Sequence, residues 1–136
     1  MIQNPTKTIK IDKSINDIKS IIKRIPEFSK SKLTNEDGIL NEYEFDFSTL
    51  MVGNIITLSL NEINDNKTEI KLEARRVMGA YDQEIEVTTA NLDLKSISVA
   101  ISTLIKNPNA DVPKGCAAPA AVILIFITLS LSLFFI

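Results

Sequence analysis

Any chemistry in this chain has to proceed without histidine and with a single cysteine, Cys116. A Ser-His-Asp triad, a Cys-His pair and zinc sites built on His or Cys clusters are excluded, because none can be assembled without those side chains. An intramolecular disulfide is excluded for the same reason. Asp, Glu, Tyr and Lys remain, and the sequence sets them out for binding rather than catalysis. Lys19, Lys23 and Arg24, with Lys10 and Lys13, form a basic set suited to anionic headgroups; each such residue near a charged surface is worth about 1 kcal/mol. Glu42, Glu44 and Asp46 recur at every second position, which on a strand makes one acidic face. Arg75-Arg76 reads better as ordinary surface than as an anion site. Asn64-Asp65-Asn66 lacks the spacing of a calcium loop and reads as a hairpin turn. No metal or other cofactor is expected, and the chain points away from an enzyme.

The formal net charge of −2 conceals a split along the chain. Residues 1–32 carry eight Lys/Arg against three acids, whereas residues 33–66 carry seven acids and no base. Solvated surface is the ordinary explanation, with a basic and an acidic face as the sharper one. Nucleic-acid binding is set aside, because the chain is acidic and its basic stretch has no interleaved aromatics.

The positioning elements follow from periodicity. Residues 6–11 (TKTIKI) alternate and are β-branched, which predicts a first strand. A helix over 14–25 places Ile15, Ile18, Ile22 and Ile25 on one stripe and is stopped by Pro26. Residues 28–34 predict a strand, turned at Asn35-Glu36-Asp37-Gly38. Over 39–47 an aromatic face (Tyr43, Phe45, Phe47) alternates with the acidic one. Strands over 55–62 and 68–76 follow, then a weaker one over 84–88. A closing helix over 91–106 aligns Leu94, Ile97, Ala100, Ile101 and Leu104 and is stopped by Asn107-Pro108.

Residues 107–116 (NPNADVPKGC) read as a linker, leaving the domain close to its attachment without rigid docking. Residues 117–136 (AAPAAVILIFITLSLSLFFI) contain no charge. Twenty residues at ~1.5 Å each give roughly 30 Å, the thickness of a bilayer core. The segment is expected to be a transmembrane tail anchor. No apolar core follows the first basic residues, so a signal peptide is not expected and residues 1–106 should face the cytoplasm. Lys106 and Lys114 flank the span on that side.

The expected fold class is α+β: a two-layer, curved antiparallel sheet of about five or six strands, an N-terminal helix and a long C-terminal helix. Three elements resemble the small helix-grip domains of the Bet v 1/START-like (SRPBCC) superfamily. They are a first strand followed at once by the helix 14–25, the meander 28–76 with GILNEYEFDFSTLMVGNIITLSL and NDNKTEIKLEARR, and the closing helix 91–106. The resemblance implies an apolar ligand held between sheet and C-terminal helix and an association with membranes or lipids. It carries over no catalytic residue.

Two readings of the inward face stay open. Tyr43, Phe45, Phe47, Leu58 and Leu72, opposite Ile97, Ile101 and Leu104, would line an apolar pocket or simply fill the core. Leu50, Met51 and Val52 sit where a polar hairpin tip is usual, marking a pocket mouth or a membrane contact, unless the strand merely runs on to Val52. The expected function is a membrane-tethered, non-catalytic domain that binds an apolar or lipid-like ligand. The rival is an interaction module with a packed core that recruits an unidentified protein through its acidic strand face or its basic helix.

Overall fold

The structure, a computed structural model, describes residues 2–112. The apolar segment 117–136 and Cys116 lie outside the described residues. Among the described residues no helix is long and apolar enough to cross a membrane.

Strand β1 (Thr6–Ile11) is followed by helices α1 (Ile15–Ile22) and α2 (Ile25–Ser29), strands β2 (Lys32–Asp37), β3 (Glu42–Asp46), β4 (Asn54–Asn64) and β5 (Lys67–Arg76), and helix α3 (Glu84–Lys106). The five strands form one antiparallel sheet in the order β1-β5-β4-β3-β2. Strict alternation in β4 and β5 selects the inner face: Ile56, Leu58, Leu60, Ile70, Leu72 and Ala74 are buried. Glu69, Lys71, Glu73 and Arg75 take the other face, where Arg75 Nη2 lies 3.7 Å from Glu44 Oε1. Against the inner face lies α3, whose buried stripe of Ala90, Leu94, Ile97, Ala100, Ile101 and Leu104 has helical spacing. Ile18, Ile21 and Ile22 of α1 and Ile25 of α2 complete the same core.

Several expected boundaries move, each for an identifiable reason. Pro26 does not end a helix over 14–25. It occupies the opening turn of α2, where a missing N–H costs nothing. Phe28 therefore belongs to that helix, and β2 begins only at Lys32. Asn35, Glu36 and Asp37 lie in β2, and the turn falls on the next four residues, with Asn41 left-handed at φ 57°. Ile39 and Leu40 are consequently exposed at a hairpin tip rather than part of β3. The strand expected over 84–88 is the start of α3. Glu86 reaches back to the amides of Asp82 and Gln83 (2.9 and 3.2 Å) in a capping box that starts the helix at Glu84.

The sheet has two distinct ends. At one, Thr68 Oγ1 donates to the Lys13 carbonyl (2.9 Å), Lys19 Nζ to the Gly38 carbonyl (3.3 Å), and the last turns of α3 meet α1. At the other lie Asn54, opposite Arg76, together with the Leu50-Met51 tip and the start of α3. After α3 the chain is held at Pro108 and Ala110. The Arg24 guanidinium donates to the carbonyls of Pro108 and Ala110 (2.6 and 2.5 Å), stacks over the Phe28 ring at 5.4 Å, and lies 3.8 Å from Glu27.

Candidate functional site: clefts beside the last turns of α3

Seven of the eight residues expected to line a pocket come together in one buried cluster. Tyr43 faces Leu58 across the β3–β4 ladder, and Leu58 faces Leu72 across β4–β5. Phe45, Ile97, Ile101 and Leu104 are equally buried, and Phe47 packs partly exposed against them. Burial, followed by the charges of Glu36 and Asp37, pushes the Tyr43 phenol above its ordinary pKa.

Two clefts open where this cluster runs out, on either side of Ile105. The first, about 210 Å³, lies between α1 and α3 over Ile18, Ile21 and Leu104, with Lys13, Asp17 and Ser20 at its rim and Pro108 closing it. The second, about 170 Å³, lies between α3 and the edge strand β1, over Ile9, Ile11 and Ile101, with Ser102 and Lys106 at its rim. Ile105 lines both. Neither is lined by Tyr43, Phe45, Phe47, Leu58 or Leu72, and only Leu104 and Ile101 of the expected lining take part. Edge position makes the second cleft: β1 has a neighbour on one side only, so Ile9 and Ile11 stay half-buried beneath α3. The aliphatic floors carry Lys13 and Asp17 at one rim and Lys106 at the other, an outline open to a narrow apolar chain with a polar end.

Leu50, Met51 and Val52 stand at the far end of the sheet, well exposed (Leu50 at 92 %). Thr49 and Val52 exchange both backbone hydrogen bonds (2.8 and 3.1 Å) around a two-residue turn. Leu50 and Met51 both adopt left-handed φ (52° and 67°), where Asn-Gly is the favoured pair. Of the expected headgroup contacts, Lys19 and Arg24 are engaged with backbone carbonyls, and Lys23 is exposed. Part of the acidic strand face is also engaged, through Glu44 with Arg75 and through Asp46, which accepts from the Ser48 amide (2.7 Å). Hydrogen bonding from the Ser48 side chain, then from its amide, holds the Asp46 carboxyl below its ordinary pKa. Among the described residues no group of three His, Cys, Asp or Glu could hold a metal ion.

A buried polar chain at the far end left no periodic signal in the sequence. The Tyr81 hydroxyl donates to Asn54 Oδ1 (2.8 Å), and Asn54 Nδ2 donates to Asp93 Oδ2 (2.8 Å). Burial, then the nearby Asp93 charge, pushes the Tyr81 phenol up to about 12, too high for acid–base work near neutrality. Burial also raises Asp93, against the Asn54 hydrogen bond. A raised carboxyl binds its proton more tightly folded than unfolded, so its contribution to stability is complete at acid pH. That contribution is lost as pH rises from about 4 through the raised value. Asp93→Asn should therefore gain on the wild type in unfolding midpoint across that interval and hold the gain above it. Urea titrations at a series of pH values check this, and a constant difference would contradict it.

These elements, with α3 gripped across one antiparallel sheet, define a helix-grip-like α+β domain. No protein-family model matches the chain, and no curated protein matches it. Among solved structures, it is similar to an uncharacterised protein from Bacillus thuringiensis, with TM-score 0.58 and 11% identity over 77% of this chain and 100% of that one. XoxI from Bacillus cereus is similar at TM-score 0.58 and 11% identity, over 81% and 100%. The di-domain ARO/CYC StfQ from the steffimycin biosynthetic pathway overlaps at TM-score 0.41 and 8% identity, over 74% of this chain and 44% of that one. At such identities the first two likenesses show the fold alone.

Proposed function

We propose that this is a membrane-tethered domain that binds an apolar, lipid-like ligand without a chemical step, in the clefts on either side of Ile105. The carrying observation is the pair of aliphatic floors, Ile18-Ile21-Leu104 and Ile9-Ile11-Ile101, each rimmed by a lysine. Singly the clefts fall below the usual 300–1,000 Å³ of ligand sites. Side by side they suit an unbranched chain bent around Ile105 better than a fused-ring molecule. The tether is residues 117–136, charge-free and long enough to span a bilayer as a helix.

Saturated fatty acids of increasing length test the reading on residues 1–112, which hold the whole described core. Each buried methylene is worth about 0.8 kcal/mol, so affinity should tighten about fourfold per added methylene until the clefts are full. Amide shifts should centre on Ile9, Ile11 and Ile105. Ile105→Asn should abolish the series, while Leu50→Ser should leave it unchanged. Affinity independent of chain length, or shifts centred on the Leu50-Met51 turn, would reject the site. The rival module is favoured by one observation: Tyr43, Phe45, Leu58 and Leu72 are buried, and neither cleft reaches them.

A further inference from the structure

Helix α3 carries an exposed apolar stripe that the core does not use. Ile85, Leu92 and Val99 recur every seven residues, which at about 100° per residue keeps them on one side of the helix. Leu92 and Val99 are 59% and 55% exposed, and with Phe28, Lys95 and Ser96 they line a shallow shelf of about 290 Å³ between α2 and α3.

The shelf adjoins the place where the chain leaves the domain. Arg24 covers the Phe28 ring and holds Pro108 and Ala110 by their carbonyls. Residue 117 lies seven positions after Ala110, a reach of at most about 25 Å even when fully extended. Helix α3 spans about 34 Å at 1.5 Å per residue, and the Leu50-Met51 tip adjoins its first half, where Asn54 bonds Asp93 and the facing Arg76 pairs with Glu86. A bilayer entered by residues 117–136 is therefore offered the shelf before the tip. Charge leans the same way: Lys23, Lys30 and Lys95 are exposed around Phe28 and Leu92, against Asp111 and Glu27, the latter facing Arg24.

We propose that the shelf formed by Phe28, Leu92, Lys95 and Val99 rests on an anionic lipid surface, laying the helical layer of the domain flat against the bilayer. The inference rests on the tether proposed above. Apolar side chains on a helix face enter the headgroup boundary, and surrounding lysines supply the salt-sensitive part of the attraction.

The test uses the full chain, with Cys116→Ser and a single environment-sensitive label at Leu92→Cys or at Leu50→Cys. It is reconstituted into vesicles of phosphatidylcholine, alone or mixed with phosphatidylserine. Flotation reports the tether, and quenching by brominated lipid reports contact. The chain should float in both lipids. The label at position 92 should be quenched at least about twofold more with phosphatidylserine, and Lys23→Glu with Lys95→Glu should remove that gain. The label at position 50 should stay in water. Flotation with position 92 in water overturns the shelf and leaves the tether standing, whereas failure to float overturns both. Label-to-label proximity at position 92 assigns the stripe to a second copy. A shielded label that brominated lipid does not quench assigns it to segment 117–136 folded back, and either result overturns the proposal.

Discussion

Leu72→Ala should lower the unfolding free energy by about 3–4 kcal/mol. Leu72 is fully buried in β5, the strand flanked by β1 and β4, and it faces Leu58 across the ladder. Truncating a buried leucine costs the transfer energy of the lost carbons, plus about 24 cal/mol for each Å³ of cavity that the surroundings cannot refill. Sheet neighbours on both sides hold the backbone in place, so little collapse is available. Against a total stability of about 5–15 kcal/mol the loss is large. Urea denaturation at equilibrium checks it. A cost under about 2 kcal/mol would mean that Leu72 already borders empty space, and would move the proposed ligand site back into the interior.

Asn54→Leu should cost as much by a different route. The asparagine is the middle of a three-member chain: it accepts from Tyr81 and donates to Asp93, and it is itself buried. A leucine of similar size leaves a hydroxyl without an acceptor and a raised carboxyl without its donor. An orphaned buried group costs about 1–3 kcal/mol, and more when charged, so about 3–5 kcal/mol is expected. Adding Tyr81→Phe and Asp93→Leu should recover most of the loss, because a site made apolar throughout has nothing left to satisfy. Strictly additive costs across these variants would show that the three side chains do not act as one unit.

The legible parts of the fold were those with local periodicity. Strand β1 falls at residues 6–11 as alternation required, β4 and β5 lie within a residue or two of their expected bounds, and the α3 stripe from Leu94 to Leu104 faces the sheet. Context misled the reading where one residue type serves two purposes. Proline ends helices and also opens them, and Pro26 opens α2. Val87 and Thr88 favour strands in isolation, yet a capping box built on Gln83 and Glu86 commits them to a helix. The candidate site was less legible for a geometric reason. Its floors come from α1, β1 and α3 meeting at one end of the sheet, and no sequence window contains all three. The Tyr81–Asn54–Asp93 chain joins residues 27 and 39 positions apart and leaves no periodic trace.

The position of β1 also sets an order of events in time. Its partner is β5, so Ile11 meets Thr68 and Thr6 meets Glu73 only after the intervening helices and meander have been made. The β4–β5 hairpin closes across Asp65 and Asn66 alone and pays almost nothing for loop entropy, whereas the edge pairing must close a loop of more than fifty residues. The strand that precedes the other four along the chain is thus among the last to settle. Until it does, the cleft between β1 and α3 does not exist, and the proposed ligand site matures only with that docking step.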